Sequence, residues 1–84
     1  MQTRWIVAYD IACARRLYRV ARRLQNDGVR LQRSVFECWL GALEAAQLWA
    51  DLGKLINPRH GRIRAYPLTG VAAGDDAPPA YYIF

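Results

Sequence analysis

The stretch VRLQRSVFECWL, Val29 to Leu40, decides the fold, because it reads as either one strand or two. Leu31 is in phase with Val35 and Trp39, while Phe36, Cys38 and Leu40 take the opposite phase. Side chains of a strand alternate with a period of two, so a single flat strand keeps one clean apolar face. The alternation breaks at Arg33 and Ser34, which calls for a bulge, a bend or a very tight hairpin. Two strands is the reading adopted here.

Working outward, Arg4 to Asp10 reads as a strand with Trp5, Val7 and Tyr9 on one face and Ile6 and Ala8 on the other. Both faces are apolar, as in a central strand covered on each side. Residues 13 to 27 fit a helix whose core stripe is Cys13, Leu17, Val20, Ala21 and Leu24, with Gly28 as the stop. Beyond Leu40, Leu43 to Ile56 carries a second apolar stripe of Ala45, Leu48, Trp49, Leu52, Leu55 and Ile56. Asn57-Pro58 ends that helix, but Gly41 and Ala42 stand where a Ser, Thr or Asp would cap its start better. Arg62 to Leu68 is a further strand, with Ile63 and Ala65 inward and Arg62, Arg64 and Tyr66 opposite.

The order is strand, helix, strand, strand, helix, strand, which is the ferredoxin-like βαββαβ arrangement of the α+β class. It occupies residues 1–68. Residues 69–84 form a C-terminal linker, TGVAAGDDAPPA, and a short tail strand, YYIF. Four apolar or aromatic residues there are expected to pair with a sheet edge, on this chain or on a dimer partner. Both helices must lie on one face of the sheet. The other face keeps apolar side chains, so a symmetric homodimer packed sheet to sheet is expected. A chain of 84 residues buries a modest share of its surface, which also favours association. No run approaches the ~20 apolar residues of a membrane span, so the cytoplasm is expected.

Charge narrows the function. Net charge is +5, and eleven of the twelve basic residues are arginine. Before position 70 the balance is 12 basic residues against 5 acidic ones, or +7. Arg15, Arg19 and Arg22 form one row on the first helix, and Arg16, Arg19 and Arg23 form a second. Such rows weaken an isolated helix by a few tenths of a kcal/mol per like-charged pair, roughly. An anionic partner reverses the sign, and arginine's planar fork suits phosphate. Cys13, Cys38 and His60 offer no zinc spacing and read as two reduced thiols and a lone imidazole. Asp10 ends a strand immediately before the arginines. It reads as a helix cap or as a metal ligand beside a phosphate site.

Taken together, Val7-x-Tyr9-Asp10-Ile11, then Arg16, Arg19-Val20-Ala21 and Leu24, then Gly28-Val29-Arg30-Leu31-Gln32-x-Ser34-Val35-Phe36-Glu37 and Arg64-x-Tyr66-Pro67-Leu68 resemble a known family. This is the second family of CRISPR-associated (Cas) proteins, the small endoribonuclease-type subunit of the spacer-acquisition module. The resemblance covers about residues 5 to 68. It implies a ferredoxin-like homodimer whose last strand joins the partner's sheet, a role open to Tyr81 to Phe84. It also implies a duplex DNA prespacer held on the basic surface, a bridge between CRISPR integrase dimers, and, in some members, magnesium- or manganese-dependent cleavage of single-stranded RNA or double-stranded DNA.

By the same resemblance Asp10 is the metal-binding and catalytic residue, shared between subunits as a pair around one magnesium or manganese ion, with Tyr9 as its catalytic neighbour. Arg19, Arg30 and Phe36 match positions linked to activity or nucleic-acid binding, with Arg16 and Ser34 as secondary matches. Tyr9 and Phe36 also read as packing residues, and Ser34 as a turn residue. The chain departs from the family where an acid-rich cluster commonly follows Tyr-Asp-Ile: here stand Ala12, Cys13 and Ala14. One carboxylate per subunit is left, a poor ligand set for magnesium. The expected function is therefore a DNA-binding adaptor of CRISPR adaptation, with nuclease activity an open question. A stand-alone, toxin-like ribonuclease of the same fold is the rival reading.

Overall fold

The structure is a computed structural model that describes residues 2–68 and 81–82. Its elements are β1 (Thr3–Ile11), α1 (Ala14–Gln25), β2 (Gly28–Gln32), β3 (Val35–Leu40), α2 (Ala42–Leu55), β4 (Gly61–Leu68) and β5 (Tyr81–Tyr82). The sheet order is β2-β3-β1-β4-β5, and β1 is antiparallel to both β3 and β4. This is the expected ferredoxin-like βαββαβ topology. β5 runs antiparallel to β4 of the same chain, opposite Arg64 and Ala65. The linker 69–80, with Asp75 and Asp76, and the last two positions lie outside the described residues.

The ambiguous stretch resolves into both devices that its broken phase called for. Gln32 pairs with Val35, so Arg33 and Ser34 make a two-residue hairpin turn, and the register slips between Arg30 and Gln32. Phe36, Cys38 and Leu40 hold the phase set by their unbroken pairing with β1 and are all buried on the helix side, while the slip leaves Leu31 as an extra residue on β2. The extra residue changes the phase of β2 and not of β3, because one residue of shift inverts only the strand that carries it.

One face of the sheet carries the core. Val7, Tyr9, Ile11, Phe36, Cys38, Leu40, Ile63 and Ala65 point towards Val20, Ala21 and Leu24 of α1 and Ala45, Leu48 and Leu52 of α2. Trp5 closes one end by an edge-on contact with Trp49, with ring centroids 5.0 Å apart. Full burial of a side chain such as Phe36 contributes about 2–3 kcal/mol before packing is counted. The opposite face carries no helix among the described residues. It exposes Trp39 and Val29 and carries an Arg4–Glu37 ion pair at the β1–β3 junction.

Two local readings change. Cys13 was expected in the core stripe of the first helix; it is the exposed N-cap of α1, which begins at Ala14 and not at 13. The weak start of α2 is mended from inside the helix, where the Glu44 carboxylate accepts a hydrogen bond from the Gly41 N–H at 2.8 Å. A carboxylate at the third helical position supplies the returning half of a capping box, on the Gly41 N–H, and also favours the positive end of the helix dipole. No helix among the described residues is long and apolar enough to cross a membrane.

Gly28 leaves no room for a side chain between β2 and β3. A Cβ added there would overlap the Glu37 carbonyl oxygen and lie 2.5 Å from Cys38 Sγ. Neither neighbour is the free end of a flexible chain. Gly28→Ala is expected to cost about 1–3 kcal/mol of stability. For a domain this small that corresponds to a fall in melting temperature of roughly 4–8 °C per kcal/mol, measured at matched protein concentration.

Candidate nucleic-acid interface and Asp10 cleft

Asp10 is the second-last residue of β1 and is exposed. It is not a helix cap, because Cys13 occupies that position three residues later. On β4 its register partner is Arg62. The carboxylate borders two adjoining depressions, one with Ala8, Arg62 and Arg64, the other with Ala12, Arg59, His60 and Arg62. A backbone hydrogen bond from Ala12 N–H to the His60 carbonyl, 3.0 Å long, pins the β4 approach against the end of β1. One acid thus stands among three arginines and a histidine. Sequence reasoning missed this group: Arg62 and Arg64 were legible as outward-facing, but only strand register shows that they flank Asp10.

The donor type at Asp10 fits a hard divalent cation. The donor number does not, within one chain. Among the described residues no group of three or more His, Cys, Asp and Glu side chains comes together. One carboxylate offers at most two of the roughly six oxygens that magnesium requires.

Tyr9 and Phe36 lie on the other side of the sheet from Asp10. Alternation along β1 sends the Tyr9 ring into the core, where it is 5% exposed and stacks near Phe36 at a centroid distance of 6.2 Å. Its hydroxyl donates to the Arg33 carbonyl at 3.3 Å. Burial raises the Tyr9 pKa, with the nearby Arg30 guanidinium pulling the other way. Phe36 is completely buried. It is a floor for Arg30, whose guanidinium sits 5.3 Å above its ring, rather than a surface that a base can reach. Arg30 itself is exposed on the β2 edge. Ser34 belongs to the hairpin turn, and its carbonyl accepts from the Tyr9 N–H at 3.1 Å.

On α1 the two arginine rows have different fates. Arg23 lies between two carboxylates, Asp27 at 2.8 Å and Asp51 of α2 at 2.9 Å. The Arg23 guanidinium holds the Asp51 pKa below its ordinary value, with Gln47 adding a further hydrogen bond. Arg16 is half-buried and reaches towards the Leu55 carbonyl at the end of α2, at 3.4 Å. Arg16 and Arg23 of the second row are therefore committed to joining the helices. Arg15, Arg19 and Arg22 remain exposed along the outer face.

The same helix start affects Cys13. The backbone N–H groups of Arg16 and Arg15 and the charges of their side chains lower the Cys13 pKa against a smaller effect of desolvation. Cys38, fully buried beneath the helices, is pushed up to about 11, chiefly by desolvation. The thiolate is the reactive form. Alkylation should therefore show one fast thiol whose rate rises with pH at a midpoint below that of free cysteine. The second thiol should react only on unfolding, and Cys13→Ser should abolish the fast phase in a maleimide-labelling time course.

This fold and residue set have relatives. Residues 2–74 match the family described as CRISPR associated protein Cas2. A CRISPR-associated endoribonuclease Cas2 of Thermodesulfovibrio yellowstonii is 34% identical over 90 aligned positions, spanning 100% of this chain and 99% of the relative. One from Chloroflexus aurantiacus is 43% identical over 68 positions, covering 81% of this chain and 73% of its own. Among solved structures, a hypothetical protein of Thermus thermophilus superposes with a TM-score of 0.81 at 30% identity, over 96% of this chain and all of that one. Streptococcus pyogenes Cas2 gives 0.76 at 30% identity, over 80% of this chain and 87% of its own. By its sequence and its fold alike, the chain belongs to the Cas2 family of CRISPR-associated proteins.

Proposed function

We propose that the chain serves CRISPR adaptation as a symmetric homodimer that binds duplex DNA through its arginines and bridges the CRISPR integrase. The observation that carries this reading is the outer face of α1, where Arg15, Arg19 and Arg22 stay exposed while Arg23 and Arg16 are spent on α2. Exposed arginines in a row track a phosphate backbone without reading bases. The helix-free sheet face supports the dimer, since it leaves Trp39 and Val29 largely in water. A second copy turned about a two-fold axis would cover it.

A metal-dependent cleavage function forms the second reading, favoured by the exposure of Asp10 at the end of that same face. Two copies could set two Asp10 carboxylates about one axis. Magnesium or manganese held there would neutralise phosphate charge and activate water. The chain's own contribution is electrostatic. Arg59, Arg62 and Arg64 draw a phosphate towards Asp10 and hold it, and the bound phosphate in turn lowers the local positive charge.

Duplex affinity should fall linearly in a plot of log affinity against log salt. Arg15→Gln combined with Arg19→Gln should flatten the slope by about 1.8, the contribution of two phosphate contacts. A slope unchanged from wild type would remove α1 from the interface. The enzyme reading is tested by labelled RNA and duplex DNA incubated with magnesium, manganese or a chelator. Asp10→Asn should lose all metal-dependent cleavage while keeping duplex binding and dimeric sedimentation. If wild type cleaves neither substrate, the adaptor reading stands without the enzyme.

A further inference from the structure

At mid-length on α1, Tyr18 is 59% exposed, although a phosphate-binding helix has no need of an aromatic ring there. It lies between Arg15 and Arg22 with Arg19 beside it. The four recur at i, i+3, i+4 and i+7 and share one stripe. Arg22 donates a hydrogen bond to the Tyr18 hydroxyl at 3.1 Å, and its guanidinium lies 5.7 Å from the ring centroid. The ring is thus steadied from one side, and more than half of it faces water. Nothing in the core requires it.

A paired duplex turns phosphates and sugars towards such a helix and keeps its bases stacked inside. A flat ring among the arginines finds no partner on that surface. An unpaired strand differs, because it offers the faces of its bases next to the same phosphates. We propose that the outer face of α1 is a platform for single-stranded polynucleotide, in which Arg15 and Arg19 hold phosphates and Tyr18, steadied by Arg22, stacks on an unpaired base. The ligand class is a free single strand or the unpaired end of a duplex. This rests on the reading of α1 as the nucleic-acid surface and adds to it the state of the bases. The platform lies on the helix side of the sheet, and Asp10 opens on the other side. A strand stacked on Tyr18 is therefore held away from the Asp10 of the same chain.

The experiment measures fluorescence anisotropy of a short labelled oligothymidylate and of a blunt duplex, at one fixed salt concentration. The proteins are the full chain, Tyr18→Leu, Tyr18→Phe and the Arg15→Gln/Arg19→Gln pair. Tyr18 is 59% exposed and lies outside the core, so the variants are expected to fold, which a thermal melt checks. Tyr18→Leu should weaken the single strand by about tenfold, the value of roughly one stacked base, and change duplex binding less than twofold. Tyr18→Phe keeps the ring and should retain most of the affinity. Equal loss on both ligands, no loss on either, or a Phe variant as weak as the Leu variant would overturn the platform. If duplex binding depends on the arginine pair while Tyr18→Leu changes nothing, only the platform falls. If wild type binds neither ligand, the α1 interface falls with it.

Discussion

The structure depends on the period of two along β1. This strand lies between β3 and β4, with antiparallel partners on both sides, so its backbone is committed and only its side chains are free to choose a face. Val7, Tyr9 and Ile11 go under the helices; Ile6, Ala8 and Asp10 go to the bare face. Adjacent residues of one short motif, Tyr9 and Asp10, are thereby put to different uses. Tyr9 ties the β2–β3 hairpin to the centre of the sheet through the Arg33 carbonyl, and Asp10 is presented to solvent among cations. The spacing that brings the two together in sequence is what separates them in space.

A similar division governs the arginines. Six of them between positions 15 and 30 would repel one another if all faced the same way. The fold divides them by the geometry of the helix pair. Those on the α2 side of α1 find a carboxylate or a carbonyl, and the one on β2 finds an aromatic ring. Such half-exposed pairs contribute modestly, on the order of 1 kcal/mol or less each. Their larger effect is to leave Arg15, Arg19 and Arg22 as one stripe without an ion pair among the described residues, so the basic surface is narrower and better defined than the net charge alone implies.

Most of the fold was legible because its signals are local. The apolar stripes of both helices, the inward Ile63 and Ala65 and the broken phase at Arg33 and Ser34 are periodicities, and they appear in the structure as read except at Cys13, which is an exposed cap. Most of what escaped depends on contacts between distant segments. Asp51 is nowhere near Arg23 in sequence, so the second arginine row looked free. Glu44 as the cap of α2 is only three residues from Gly41, and its S/T-x-x-E signature was hidden by the glycine. Phe36 matched a pattern associated with binding, but its pairing with Val7 of β1 puts it on the helix side as a core residue. The Asp10 surroundings combine both cases: the acid was found by motif, and its cationic neighbours needed the β1–β4 register.

The bare sheet face and the incomplete ligand set at Asp10 are separate deficits of a single chain. The first is one of area, since Trp39 and Val29 stay wet while the opposite face of the same sheet is fully packed. The second is one of coordination number, since one carboxylate cannot surround a hard cation. On the proposed reading a single two-fold operation meets both, because Asp10 lies on the face that the second copy would cover. The cations beside it then have a double consequence. Across such an axis Arg62 and Arg64 would be repeated, and two sets of arginines facing one another repel unless an anion comes between them. A polynucleotide phosphate supplies that anion, so the electrostatics that disfavour a bare metal ion in one chain favour a phosphate in the pair.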